Sequence, residues 1–495
     1  MRLPDLHGVE NVVALLAARA AASPRHAAIV DGSRIIDAAE LHALTLRYAA
    51  ALRAHGLAAN DRVGLMLQDR ADHLILILAA AAVGAASISL NWRSKIEEKR
   101  AIVEAFRPRL LIRETGARAP DGVATLDLDA LRQEADESAD ALAPIAARDL
   151  PLRILLTSGT TGVPKGVELT HAGLLAWCES VSGALRLSAP QRHLSATPLA
   201  FTGTFNFSVP QLLLGGTVEL FPSLFTPEEL VAALASRGIT STVLVPTVLR
   251  RLLALAPAQG HLLPGVSRLI SLGAPLAPDE RRAALRRLSP GFHEVYGASG
   301  AGPITVLRPE DVEAHAESVG RPAPLREVEI VDPQGRPLPA GETGLLRCRG
   351  PGVARGFCNG EDASDETFRD GWYYPGELAR RDGEGFLYIT GRAADVILRA
   401  GSNIYPMEIE HVLMRHPAVA EAAVVGIPSP DYGEEVVAFV RLARATPRRD
   451  LMETCLRHLT PYKLPKTIIA LEEFPKNPAG KILKTELQRM ARDIG

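Results

Sequence analysis

The run Ile154-Leu-Leu-Thr-Ser-Gly-Thr-Thr-Gly-Val-Pro-Lys-Gly-Val-Glu-Leu-Thr170 holds the densest chemistry in the sequence. Three glycines let successive backbone N–H groups turn toward an anion. Four hydroxyls (Thr157, Ser158, Thr160, Thr161) add donors, and Lys165 adds a slim, mobile positive charge. Such a loop suits a polyphosphate. It is not a Walker A loop, which needs a hydroxyl directly after the lysine and opens straight into a helix. Here Lys165 stands between Pro164 and Gly166, and Val167-Glu-Leu-Thr alternates like a strand before a helix begins near Ala172. The loop is therefore expected to connect two strands.

The surrounding sequence shows what would position such a loop. Apolar runs of strand length (Val63 to Leu67, Ser87 to Leu90, Ser241 to Val245, Leu269 to Leu272, His293 to Tyr296) alternate with helical patterns such as Ala71 to Val83. That alternation predicts an α/β fold with mixed sheets. Between Glu327 and Gly385 the texture changes to short alternating stretches broken by Pro-Gly and Asp-Gly turns, predicting a small antiparallel region. After Arg392 a compact block follows with its own strand and helix order. The boundary is placed at Asp395, giving domains 1–394 and 395–495.

Composition narrows the function. With 55 Lys+Arg against 57 Asp+Glu the net charge is −2, which argues against a nucleic-acid binder. Cys178, Cys348, Cys358 and Cys455 are too dilute for a disulfide scaffold and read as thiols in a reducing compartment. The N-terminal segment is interrupted by Asp5, His7, Glu10 and Arg19, unlike a signal peptide. The stretch Leu74 to Leu90 contains Gly84, Ser87 and Ser89 and reads as a buried helix running into a core strand, not as a transmembrane segment. The expectation is a cytoplasmic enzyme. Its oligomeric state is not legible, and a homodimer is compatible with the sequence. Only eight of the 55 cations are lysines, and Lys165 is the sole lysine between Lys99 and Lys463. A second cluster surrounds Lys481.

The glycine-rich run resembles the signature of the adenylate-forming superfamily of acyl-CoA synthetases, carrier-loading adenylation domains and firefly luciferase. Further similarities follow in family order: Gly273-Ala274-Pro275, Tyr296-Gly297, Gly371-Trp-Tyr-Tyr-Pro-Gly-Glu377, Gly391-Arg392, Gly401-Ser402-Asn403, and Pro478-Ala-Gly-Lys481. The resemblance spans roughly residues 20 to 490. It implies a large N-terminal domain of mixed sheets layered with helices plus a β-barrel-like region, and a small mobile α+β C-terminal domain. It further implies an acid–CoA ligase using ATP, Mg²⁺ and CoA, with no protein ligand assigned to the metal. In this reading a carboxylate attacks the α-phosphorus of ATP, pyrophosphate leaves, and a thiol then attacks the acyl-adenylate. The resemblance gives Lys481 the catalytic role and hands the β- and γ-phosphates to Lys165 with Thr157, Ser158, Gly159, Thr160, Thr161 and Gly162. Gly273, Ala274, Pro275, Tyr296 and Gly297 would hold adenine, Glu377 and Arg392 the ribose, and Ser299 the α-phosphate. Asp395 would be the hinge, and Gly401, Ser402 and Asn403 would line the CoA tunnel.

Three positions depart from the family pattern. Gly300 stands where a carboxylate is expected to hold Mg²⁺, Pro-Gly-Glu377 replaces T-G-D, and Phe201 stands where many CoA ligases have histidine. Phe201 is read either as an aromatic gate or as a core side chain. The acid pocket is expected to draw on Phe201, Thr202, Phe205, Asn206, Phe207, Val245, Gly297, Gly300 and Ala301. That set contains no Arg or Lys for a second carboxylate, which predicts a hydrophobic monocarboxylate, aromatic or fatty. A carrier-protein thiol in place of CoA, and a nucleotide-binding homologue that has lost catalysis, are the rival readings. An oxidoreductase built on Gly297-Ala-Ser-Gly-Ala-Gly302 fails because the spacing is G-x-x-G-x-G. Lys476 and Lys484 are read as solvated surface lysines, and His171 and His193 as cap or core residues.

Overall fold

A computed structural model describes residues 6, 8–137, 144–145, 147–157, 164–359, 367–400, 402–476 and 482–494. The chain packs as two units: Met1–Val328 with Cys348–Tyr374, and Glu329–Arg347 with Pro375–Gly495. Packing defines these units, whereas a pivot is defined by motion, and the expected hinge at Asp395 belongs to the second kind.

Among the described residues the first unit builds two sheets. One has nine strands, ordered Arg321–Pro322, Gly302–Leu307, Phe292–Ala298, Arg268–Ser271, Ser241–Leu244, Arg192–Ser195, Thr217–Leu220, Ala27–Asp31 and Arg34–Asp37. The other runs Thr125–Asp127, Leu110–Arg113, Arg62–Met66, Ala86–Ser89, Pro151–Thr157 and Lys165–Thr170. Both are parallel through their centres and antiparallel at one or both edges. Central strands such as Ala86–Ser89 are buried at every residue, the signature of a parallel sheet covered on both faces.

The apolar segment after Arg70 forms the helix Ala71–Val83, buried on all sides. Gly84 ends it at φ 79°, a left-handed conformation suited to glycine. The chain then enters Ala86–Ser89, the buried helix and core strand that the sequence predicts. This helix, the apolar helix Thr202–Leu213 and the helix His171–Ala184 contribute to one continuous hydrophobic core.

The second unit holds an antiparallel succession in which Thr343, Gly344 and Leu345 pair with Arg380, Ala379 and Leu378, and the strand Glu377–Arg381 pairs with Leu387–Arg392. It also holds a five-stranded sheet of Ser402–Ile404, Ile397–Arg399, Gly433–Leu442, Val419–Ser429 and Thr467–Ala470. The helices Pro406–Met414, Arg448–His458 and Lys484–Ile494 belong to this unit. The first two contribute to one small apolar core and the third to another.

Candidate active site

The strands Pro151–Thr157 and Lys165–Thr170 pair antiparallel with Thr157 opposite Lys165, so they are the two stems of the glycine-rich loop. Ser158, Gly159, Thr160, Thr161 and Gly162 lie outside the described residues. The returning stem is clamped by a segment almost two hundred residues away. Asn359 accepts at Oδ1 from the Gly166 N–H (3.1 Å) and donates from Nδ2 to the Pro164 carbonyl (2.6 Å). The Cys358 N–H donates to the Gly166 carbonyl at 2.9 Å. Beside this clamp the Lys165 ammonium sits 5.3 Å from the Phe357 ring centroid, within cation–π range. Phe357 stands edge-on to Phe368 (5.2 Å) and Phe368 leans on Tyr373 (5.0 Å), an aromatic row starting at Lys165. Nothing local in the sequence signals the Asn359 contact, because the two partners are far apart in the chain.

That row ends at Gly300. A Cβ there would stand 2.9 Å from two ring carbons of Tyr373, so the ring takes the space that a longer side chain would enter. Tyr296, Gly297 and Ala298 form the end of strand Phe292–Ala298, which turns through Ser299 and Gly300 into Gly302–Leu307. Gly297 must be glycine, since a Cβ would collide with the Gly302 carbonyl oxygen. Gly302 in turn packs against the Trp177 indole, whose Nε1 donates to the Gly352 carbonyl (3.0 Å). Tyr296 is half-buried, and Gly273, Ala274 and Pro275 form an exposed turn after strand Arg268–Ser271. The Ser299 hydroxyl lies 3.4 Å from both the Leu156 carbonyl and Thr202 Oγ1. Both contacts are long for a hydroxyl hydrogen bond. This places Ser299 between the stem that enters the phosphate loop and the head of the Thr202–Leu213 helix.

Along that helix Phe201 caps the N-terminus and is 36% exposed, so it is not a core side chain. Thr202 and Val245 are half-buried, whereas Phe205, Asn206, Phe207, Gly300 and Ala301 are buried. Behind Phe205 stands a cation that the pocket reading lacked. Arg153 is fully buried, with its guanidinium carbon 4.2 Å from the Phe205 centroid, and burial lowers its pKa to about 9. Nothing in Pro-Leu-Arg-Ile-Leu-Leu marks this arginine as buried. The strand is covered on both faces.

In the second unit Glu377 and Arg392 are cross-strand partners, and Arg392 Nη2 donates to Glu377 Oε1 at 3.3 Å. Asp395 closes a 3₁₀ turn, Ala393–Asp395, and lies 3.4 Å from the Lys484 ammonium, which also pairs with Glu410 at 2.8 Å. Lys476 pairs with Glu421 at 2.7 Å. Lys476 is exposed, as expected of a surface lysine, and Lys484 is half-buried, and carboxylates from other elements of the unit face both of them. Ser402 and Asn403 lie on the strand Ser402–Ile404, whereas Gly401 and Lys481 lie outside the described residues.

No group of three His, Cys, Asp or Glu side chains is arranged for a metal ion among the described residues. Gly300 offers no ligand and Tyr373 fills the space beside it, so the described residues do not form a Mg²⁺ site of their own. His171 accepts from the Val12 N–H and His193 contacts Ser241, both as core residues. Burial depresses the pKa of His73 and His193 to about 3 and of His171 and His293 to about 4. All four are neutral at pH 7.

Residues 16–358 match the model of the AMP-binding enzyme family, and residues 408–481 match the AMP-binding enzyme C-terminal domain. The chain is 34% identical to an indoleacetate–CoA ligase of Aromatoleum aromaticum, covering 94% of this chain and 96% of that one. It is 33% identical to a feruloyl-CoA synthase of an Amycolatopsis species, covering 95% and 97%. Among solved structures it resembles o-succinylbenzoate CoA synthetase of Bacillus subtilis, which has been captured with its acyl-adenylate intermediate. There the TM-score is 0.87 at 27% identity, over 96% of this chain and 97% of that one. The same synthetase has been solved with ATP and magnesium ion. Two family models and near full-length relatives agree, and the chain belongs to the AMP-binding enzyme family.

Proposed function

We propose that this AMP-forming acid–CoA ligase activates a hydrophobic monocarboxylic acid, aromatic or fatty, and delivers the acyl group to CoA. One observation carries the reading: Ser299 stands 3.4 Å from both the Leu156 carbonyl and the Thr202 hydroxyl, joining the phosphate-loop stem, the adenine-side hairpin and the head of an apolar helix. An acid lying along Phe201, Thr202 and Val245 would present its carboxylate where an α-phosphate held at Ser299 is attacked. Relatives named for indoleacetate and ferulate support an aromatic acid.

Each half-reaction brings anions together, and this chain's residues are assigned accordingly. Lys165, with the loop from Thr157 to Gly162, steadies the β- and γ-phosphates until pyrophosphate leaves. Lys481 brings a point charge to the carboxylate as it meets the α-phosphorus, where a preorganised cation acts most strongly. Tyr296 and the Gly273-Ala274-Pro275 turn hold adenine. Glu377 accepts from the ribose diol and Arg392 donates to it. Mg²⁺ enters with ATP, as part of the nucleotide substrate. Once the adenylate has formed, residues 395–495 turn about Asp395 so that Gly401, Ser402 and Asn403 face the CoA thiol.

No helix among the described residues is long and apolar enough to cross a membrane, and a cytoplasmic location fits this reading. The test is a panel of acids assayed for AMP release with ATP, Mg²⁺ and CoA. The best turnover is expected with an aromatic or fatty monocarboxylate. Best turnover with a dicarboxylate, or with a carrier-protein thiol in place of CoA, would overturn the assignment.

A further inference from the structure

Arg153 is fully buried in the middle of strand Pro151–Thr157. It makes one hydrogen bond among the described residues, from Nη2 to the Leu199 carbonyl at 3.0 Å, while Nε and Nη1 are buried without a partner. Withdrawing a guanidinium from water costs several kcal/mol, and a methionine or leucine of similar volume would fill this core more cheaply. What the charge holds is therefore informative. The other side of Leu199 is held as well, since its N–H donates to Asp69 Oδ1 at 2.7 Å. Asp69 is mostly withdrawn from solvent, and burial raises its carboxyl pKa, with the Leu199 N–H opposing that shift. The two peptide groups flanking one residue are thus fixed by a buried strand arginine and by a half-buried aspartate in the bend before the helix Ala71–Val83.

The consequence lies two residues further on. A turn in which the Phe201 N–H donates to the Pro198 carbonyl (3.0 Å) carries the chain from Leu199 into the Thr202–Leu213 helix. Where Leu199 is held determines where Phe201 and Thr202 begin. Arg153 also backs the ring of Phe205 one turn into the same helix. We infer that Arg153 and Asp69 are positioning residues of the acid subsite. They clamp Leu199 from both sides and so set which acids fit, without touching substrate. This inference rests on the reading that residues 201–207 face the acid.

The full-length enzyme is assayed as wild type and as Arg153→Met, Arg153→Lys, Asp69→Ala and Asp69→Asn. The panel is benzoate, phenylacetate, phenylpropanoate, hexanoate, octanoate and decanoate, with ATP and CoA. In Arg153→Met and Asp69→Ala, kcat/KM for the preferred acid should fall about tenfold relative to at least one other acid, the scale of a reshaped apolar pocket. The KM for ATP should stay within about twofold, since the clamp acts on acid discrimination alone. Both variants should displace the ranking in the same direction, while Arg153→Lys and Asp69→Asn, which keep a donor and an acceptor, should recover part of it. Uniform loss across the panel, or no change, would overturn the inference. Hydrogen exchange across residues 198–205 supplies a readout independent of turnover. Exchange should accelerate in both disruptive variants and stay near wild type in both conservative ones, and unchanged exchange would overturn the clamp even if no acid is turned over. Wild type inactive with every acid would refute the ligase reading and leave this second readout standing. Should Arg153→Met not fold, Asp69→Ala and Arg153→Lys decide by the same criteria.

Discussion

The two units hold their functional candidates by different forces. In the first, Gly166, Leu199 and Gly352 are gripped by single hydrogen bonds to their backbone from Asn359, Asp69, Arg153 and Trp177. In the second, the pairs Glu377 with Arg392, Asp395 and Glu410 with Lys484, and Glu421 with Lys476 are partly exposed and held by opposite charge. A buried hydrogen bond is costly to leave unmade, whereas an exposed ion pair costs little to break and remake. The first arrangement suits a site that must not move between two half-reactions, and the second suits a part proposed to turn.

Acid should separate the units most strongly. The buried histidines His73, His171, His193 and His293 all belong to the first unit, and their pKa values are depressed to between about 3 and about 4. Unfolded histidine titrates near 6.5, so below that pH the unfolded chain binds protons that the folded chain refuses, and stability falls as pH falls. Each histidine then contributes a loss of about 1.4 kcal/mol per pH unit between about 6.5 and its folded value. Urea unfolding at pH 7, 6 and 5 should show the first unit weakening steeply. A flat response would remove the contrast. Next in size is Lys481→Ala, expected to cost adenylation about 3 kcal/mol or more, the scale of one lost preorganised donor. Thioester formation from synthetic acyl-adenylate and CoA should survive, and equal loss in both halves would mean that Lys481 is structural or serves both.

Asn359→Ala removes two half-buried contacts to the backbone of the glycine-rich run and should cost about 1–2 kcal/mol, read as a KM for ATP raised roughly tenfold. An unchanged KM would mean that the stem holds itself. The smallest effect is expected from Lys484→Met, at most about 1 kcal/mol of stability, disappearing in high salt as its ion pairs are screened. Thermal unfolding at low and high ionic strength measures it. A salt-independent loss would place Lys484 with the first kind of contact.

The two strand stems of the glycine-rich run and the helix after them were legible because each depends on residues adjacent in sequence. The buried helix before Gly84 was legible for the same reason, as was the β texture between Glu327 and Gly385. What escaped depends on burial or on distance along the chain. Arg153 was hidden because a lone arginine in a strand is ordinarily an outward residue, and only a sheet covered on both faces turns it into a core cation. Asn359 and Tyr373 were hidden because their partners, Gly166 and Gly300, are far away in the chain. The missing side chain at Gly300 was the one available sign that something else fills that space. The carboxylates facing the surface lysines Lys476 and Lys484 were hidden for the same reason, since Glu421, Asp395 and Glu410 are brought to them only by the fold.

The scarcity of lysine gives the chemist a label. An amine-reactive reagent meets only eight lysines and the N-terminus in a chain of 495 residues. Lys99 is buried with its ammonium donating to the Trp92 carbonyl, while Lys463, Lys476 and Lys484 are engaged by carboxylates. Between Lys99 and Lys463 the sequence holds a single lysine, Lys165, at the glycine-rich loop. Its modification, with and without nucleotide, would report occupancy of that loop in the mass of the one peptide that carries it, since no other lysine lies between Lys99 and Lys463.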